Sequence, residues 1–177
     1  FRTAQIVAER LRAYGVDEVH TGIGQTGLVG VIRGKANSRD ASIGLRADMD
    51  ALPMPEKNLF EHASKVQNMM HACGHDGHTA MLLGTAKYLA KTRNFDGTAY
   101  LIFQPAEEGW GGGDAMVKDG LFDRFPAQRI FALHNRPELA PGQFGLRDGP
   151  CMAATDSIKI HIVGKGGHAA QPHRAIA

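Results

Sequence analysis

From His71 to His78 the chain reads HACGHDGH, which packs three histidines, a cysteine and an aspartate into eight positions. Thiol, imidazole and carboxylate together make a donor set for zinc, or for manganese or cobalt where oxygen and nitrogen dominate. If Cys73-Gly74-His75 is extended, the thiolate and the imidazole point the same way, with Gly74 leaving room between them. The helix expected next would present its positive end, which favours a thiolate over a thiol. Further donors stand elsewhere in the chain. Asp48 and Asp50 in ADMDALP are spaced i, i+2 and share one face of a strand. Glu107 and Glu108 occur in PAEEGWGGG, and His134 occurs in RIFALHN. Cys73, His75, Glu108 and His134 would fill one tetrahedral site. A hydrolytic site needs a position open to water, so additional donors point to two ions sharing a bridge.

Each group alone has a plainer reading. Cys73 fits a buried thiol in a capped surface loop, Asp48 and Asp50 a polar strand end, and Glu107 with Glu108 a solvated acidic turn. His134 alone reads as a hydrogen-bonded core histidine, and His71 and His78 fit support or packing better than ligation. The weight comes from the elements that must deliver these side chains. RTAQIVAERLRAYG places Ile6, Val7, Leu11 and Tyr14 at helical spacing, with Gly15 as C-terminal cap. GLVGVIRG and ASIGLRADMD read as strands, the second stopped by Pro53 and Pro55. DGHTAMLLGTAKYLAKTR reads as a helix capped by Asp76, GTAYLIFQP as a buried strand ended by Pro105, GGDAMVKDGLF as a short helix and RIFALHN as another buried strand. Alternating helices and strands predict an α/β fold with a mostly parallel sheet, whose ligand crevice lies beyond the carboxyl ends of the strands. Asp48 and Asp50, Glu107 and Glu108, and His134 all fall at such ends. Neighbours alternate along a strand, so Glu107 and Glu108 can both face a site only where the strand has ended. Pro105 and the glycine run predict that ending.

Composition removes other classes. The net charge of +2, from scattered Lys and Arg, gives no footprint for nucleic acid or an acidic membrane surface. No apolar run approaches the roughly 20 residues of a membrane span. Two cysteines, Cys73 and Cys151, are too few for a disulfide framework and fit a reducing, cytoplasmic setting. After Pro150 the pattern changes: ATDSIKIHIVGKGG alternates Ile158, Ile160 and Ile162 with polar neighbours, as a half-exposed antiparallel strand does. Two domains are therefore expected, residues 1–150 and the start of a second at 151–177. Phe1 opens directly in a helical pattern, and HAAQPHRAIA ends without punctuation, so the chain reads as a portion of a longer protein.

The segments RADMDALP, MHACGHDGHTAMLLG, FQPAEEG, ALHNRP and GKGGHAAQPH follow one another in the order and spacing of the metallopeptidase-like amidohydrolases. The chain resembles the hippurate hydrolase, N-acyl-amino-acid amidohydrolase and auxin-conjugate hydrolase group over essentially its whole length. The resemblance implies a three-layer, zinc-exopeptidase-like catalytic domain lacking its N-terminal segment, followed by the beginning of a smaller α+β lid that dimerises the full-length protein. It implies hydrolysis of the amide of N-acyl amino acids by a metal-activated water, with two divalent ions: zinc or manganese, with cobalt or nickel as further options. By motif match Cys73, His75, Glu108 and His134 would be metal ligands, and Glu107 the general base. Asp50 would orient a ligand. His168, on the lid, would reach a partner subunit's site and stabilise the oxyanion, with His173 a weaker candidate for that neighbourhood. Relatives carry one more metal-binding histidine in a C-terminal return that has no counterpart here.

Two other readings compete. Cys73 could act as a nucleophile with His134 and Asn135, which leaves Glu107, Glu108 and His75 idle. The chain could also be a metal-binding module without turnover. A zinc deaminase is disfavoured, because PCMA at Pro150 lacks the second cysteine of the P-C-x-x-C motif.

Overall fold

Helix α1 (Arg2–Ala13) buries Val7, Ala8 and Leu11 and ends as its sequence predicts, with Gly15 at φ 77° just past the last turn. Only a residue without Cβ adopts that left-handed turn at little cost. Strand β1 (Glu18–Ile23) then returns through a three-residue turn into β2 (Gly27–Arg33). So short a connection forces the two strands antiparallel. β3 (Ser42–Asp48), α2 (His75–Thr92), β4 (Thr98–Gln104), the short helices α3 (Gly112–Lys118) and α4 (Leu121–Arg124), and β5 (Arg129–Ala132) complete the element order. The structure, a computed structural model, describes residues 1–154 and 156–176.

The five strands form one sheet in the order β1-β2-β4-β3-β5. β4, β3 and β5 run parallel, the arrangement expected from alternating helices and strands, while the β1–β2 hairpin adds antiparallel to β4 and makes the sheet mixed. Alternate residues serve opposite faces. On one face Leu28, Ile32, Ala47, Leu101 and Phe103 pack under α1 and α2, against Leu11, Leu82 and Ala86. On the other, Ile23, Val29, Val31 and Ile102 meet Met116, Leu121 and Phe125 from α3, α4 and the turn after them. The result is three layers with the sheet in the middle. Among the described residues no helix is long and apolar enough to cross a membrane.

Three local expectations need correction, and one strand, β1, lies outside them. β1 carries no strand signal in EVHTGI, whose polar composition hides a strand held by its hairpin partner. β5 is exposed along its length rather than buried, because it is the edge strand paired on one side to β3. Asp76 is not the cap of α2; Gly74 holds that position and Asp76 lies in the first turn. Residues 156–164 form no strand, and Ile158, Ile160 and Ile162 are 76–84% exposed. An amphipathic strand needs a neighbouring ladder and an apolar layer beneath it. Thr155, within that expected strand, and Ala177 lie outside the described residues.

The chain divides into two compact units, Phe1–Arg136 and Pro137–Ala177. The first holds all the strands above. Among the described residues the second contains one 3-10 turn, Pro172–Arg174, and an antiparallel bridge between Lys165 and Ile176.

Candidate metal centre

The first unit gathers its titratable side chains where β3 and β4 end, at the start of α2 and just beyond β5. Cys73-Gly74-His75 is not extended. Gly74 sits at φ 88°, ψ 16°, a left-handed turn that opens α2, and His75 is already the first helical residue. The turn still brings the two side chains together. Cys73 Sγ lies 3.4 Å from His134 Nε2, and Cys73, His75 and His134 offer ligand atoms all within 4.8 Å of one another. A second triad, His75, Glu107 and Glu108, meets the same limit. Two donors bound to one ion at about 2.0–2.3 Å are separated by no more than about 4.6 Å, so both triads are close to ligating separation.

The acidic pair reaches the site because β4 stops at Gln104 and the backbone turns through Ala106 at φ 51°. Glu107 Oε2 and Glu108 Oε1 then lie 3.9 and 3.8 Å from His75 Nε2, so both neighbours face the same atom. Asp50, beyond the end of β3, holds this arrangement with both oxygens. Oδ1 is 3.3 Å from His75 Nδ1, and Oδ2 accepts the Glu108 backbone N–H at 3.0 Å. His75 is 1% exposed, and its Nε2 has no hydrogen-bond partner although the carboxylates of Asp48, Glu107 and Glu108 stand 3.6–3.9 Å away. An unpaired buried nitrogen in such company is costly unless a cation completes it. The residues therefore fit a divalent ion, with Cys73, His75, Glu108 and His134 as the groups that would hold it.

His134 is oriented for the same task. Its Nδ1 lies 2.8 Å from the Asn135 carbonyl, to which it donates, so Nε2 is the basic nitrogen that faces Cys73. The triad Asp48, His75 and His78 is compact too, but Asp48 is already satisfied. Its Oδ1 accepts from His78 Nδ1 at 2.6 Å and its Oδ2 from Arg46 Nη1 at 2.8 Å. Burial alone would raise the Asp48 carboxyl, but the His78 hydrogen bond and the Arg46 charge outweigh it and hold the group below the usual carboxylate range.

Cys73 departs from its sequence expectation. Burial pushes its thiol up to about 11, aided by the hydrogen bond and charge of Glu108 and by the charges of Glu107 and Asp48. A nucleophilic cysteine requires a depressed pKa, so this upward shift weighs against the Cys73–His134–Asn135 reading despite the 3.4 Å contact.

His168 belongs to the second unit, where its Nδ1 accepts the Ala170 N–H at 3.1 Å; His173 lies in the 3-10 turn. Sequence reasoning placed His78 in support or packing, as found, but did not identify Asn135 as its partner. His78 Nε2 lies 2.5 Å from Asn135 Oδ1 and 3.1 Å from its backbone nitrogen. The i, i+3 spacing of His75 and His78 on one helix face was the available signal.

The model of peptidase family M20/M25/M40 matches residues 44–175. Hippurate hydrolase of Campylobacter jejuni is 51% identical over 173 residues, covering 98% of this chain and 44% of that protein. N-acyl-L-amino acid amidohydrolase of Geobacillus stearothermophilus is 44% identical over 177 residues, covering 99% and 46%. Among solved structures, a dinuclear metal-binding peptidase of the M20 family from Bacillus subtilis superposes with a TM-score of 0.78 at 37% identity, over 84% of this chain and 41% of that one. The chain thus spans less than half the length of these curated relatives.

Proposed function

The chain belongs to peptidase family M20/M25/M40, and from that premise we propose that it is the metal-holding part of an amidohydrolase that cleaves the amide of N-acyl amino acids, hippurate-like substrates among them. Relatives named for that activity support the substrate class. One observation carries the site assignment: the buried, unpartnered Nε2 of His75 facing a cluster of carboxylates. Cys73, His75, Glu108 and His134 are the proposed ligands of two divalent ions, zinc or manganese. When bound, such ions polarise the amide carbonyl and make water at the site more acidic.

The protein's own groups supply the proton chemistry. Glu107 Oε2 lies 3.9 Å from His75 Nε2, beside rather than within the Cys73–His75–His134 triad. In this reading Glu107 takes the proton of the attacking water at a carboxylate oxygen and delivers it to the nitrogen of the leaving amino acid. Asp50 keeps His75 turned so that Nε2, not Nδ1, faces the carboxylates of Glu107 and Glu108. Residues 1–150 form the catalytic domain and 151–177 begin the lid, which supplies His168 to the oxyanion of a partner subunit in a homodimer. The unbridged Cys73 and Cys151 suit a reducing, cytoplasmic setting.

The test is Glu107→Gln in the full-length protein. Hydrolysis of benzoylglycine should fall about 10²–10⁴-fold, with metal content by elemental analysis unchanged. Full activity in that variant refutes the role of Glu107.

A further inference from the structure

His78 is buried and ligates nothing in the reading above, yet it is the most fully hydrogen-bonded imidazole in the first unit's polar cluster. Its Nδ1–H donates to Asp48 Oδ1 at 2.6 Å, and Asp48 is itself fixed by Arg46 Nη1 at 2.8 Å and, through its carbonyl, by the Thr79 hydroxyl at 2.9 Å. Arg46 is held in turn by Gln104, whose Oε1 accepts from Nε at 2.9 Å. The far side of the ring meets Asn135 twice, with Nε2 2.5 Å from Oδ1 and 3.1 Å from the backbone nitrogen. A neutral ring accepts the backbone N–H there, and a charged ring donates to Oδ1, so either form has a partner on Asn135.

Asn135 sits in a segment without regular structure after β5, where the backbone needs something to fix it. It is also wedged against the opening turn of α2. A Cβ on Gly74 would stand 2.4 Å from Asn135 Oδ1. Asn135 is therefore held on two sides, its backbone nitrogen and side chain by His78 and its side chain against Gly74, and the Asn135 carbonyl sets the His134 tautomer at 2.8 Å. The ring of His78 also lies edge-on to that of His134, centroids 4.6 Å apart.

We propose that His78, anchored by Asp48 and Arg46, is a positioning residue that fixes Asn135 and through it aims His134 Nε2 at the position shared with Cys73. The chain Arg46–Asp48–His78–Asn135 ties the ends of β3 and β5 to α2, so that His134 is held by a rigid helix rather than by its own flexible segment. This inference rests on His134 and Cys73 being ligands, as in the proposed function.

Cobalt(II) binding to the metal-free full-length protein tests it, read by the visible spectrum and by competition with a chromophoric chelator. A glutamine amide reaches the place of His78 Nε2, whereas an asparagine amide reaches only that of Nδ1. His78→Asn and Asn135→Ala should each weaken cobalt binding about 10–100-fold and alter the spectrum. His78→Gln should restore most of both. The double variant His78→Asn/Asn135→Ala should be no weaker than His78→Asn alone. A purely packing role would not separate Gln from Asn in this way. Wild-type cobalt affinity and spectrum in His78→Asn, or equal loss in both His78 variants with Asn135→Ala unaffected, overturns the proposal. Should His78→Asn not fold, wild-type binding by Asn135→Ala, whose side chain is exposed, overturns it alone. Cys73→Ala and Glu108→Gln separate the two ideas. If they lose cobalt while His78→Asn keeps it, only this inference fails; if they keep it, the site assignment fails and takes the inference with it.

Discussion

Replacing Gly74 by alanine probes the hinge on which the candidate metal centre turns. Gly74 lies at φ 88°, a region where a Cβ collides with its own backbone and costs about 1–2 kcal/mol. The added methyl would also sit 2.4 Å from Asn135 Oδ1, whereas ordinary contact begins at 3.4 Å, so the amide must retreat by about 1 Å. That amide is held by His78 at 2.5 Å, so retreat sacrifices a part-buried hydrogen bond worth about 1 kcal/mol more. The expected total is about 2–3 kcal/mol, measured as the shift in guanidinium unfolding of the protein stripped of metal by a chelator. His134 follows Asn135, and a displacement of this size removes it from Cys73, so cobalt affinity should fall as well. An unchanged unfolding midpoint together with unchanged affinity would refute both the strain and the coupling.

Other outcomes follow from the same geometry. Iodoacetamide at pH 8 should label the exposed Cys151 well before Cys73 in metal-free protein, because the Cys73 thiol titrates near 11; a Cys73 that labels fully at neutral pH would revive the nucleophile reading. Asp17→Asn should cost about 1–2 kcal/mol at pH 7, since Asp17 accepts from Arg93 Nη1 at 2.5 Å and from the Arg33 N–H at 2.7 Å. Burial raises the Asp17 carboxyl, but these bonds overcome that and lower it from 3.8. Its contribution is therefore complete above that pH, and the gap between wild type and variant should close as the pH falls below it; a gap that stays constant down to full protonation contradicts the assignment. Leu11→Ala, in a fully buried position of α1, should lose about 2–5 kcal/mol in chemical unfolding while leaving cobalt binding to the folded protein intact.

Much of the architecture was legible because periodicity reports burial. The short apolar runs of β2 and β4, the helical spacing of Val7 and Leu11, and the strand-ending Pro105 each correspond to an observed element. β1 escaped because a hairpin partner, not its own pattern, makes it a strand. The expected strand around Ile158 had the right pattern, but a pattern cannot supply the neighbour that a ladder needs. At the site, residue type sufficed to nominate Cys73, His75, Glu107, Glu108 and His134, since few other chemistries want that set. Their environment was not legible. The helix-end argument for a Cys73 thiolate failed because burial first, and then the negative charge of Glu108, Glu107 and Asp48 brought in from distant parts of the sequence, raises the thiol. The link from Asp48 through His78 to Asn135 joins three segments whose meeting only the folded chain reveals.

Asp50 grips the His75 ring with one oxygen and the Glu108 amide with the other, using hydrogen bonds that form with the fold and need no ion. Two of the candidate donors, His75 and Glu108, are therefore held by the fold itself. A protein built this way would release its ions to a chelator and take them back at the pace of ion exchange, without a cycle of unfolding and refolding in between.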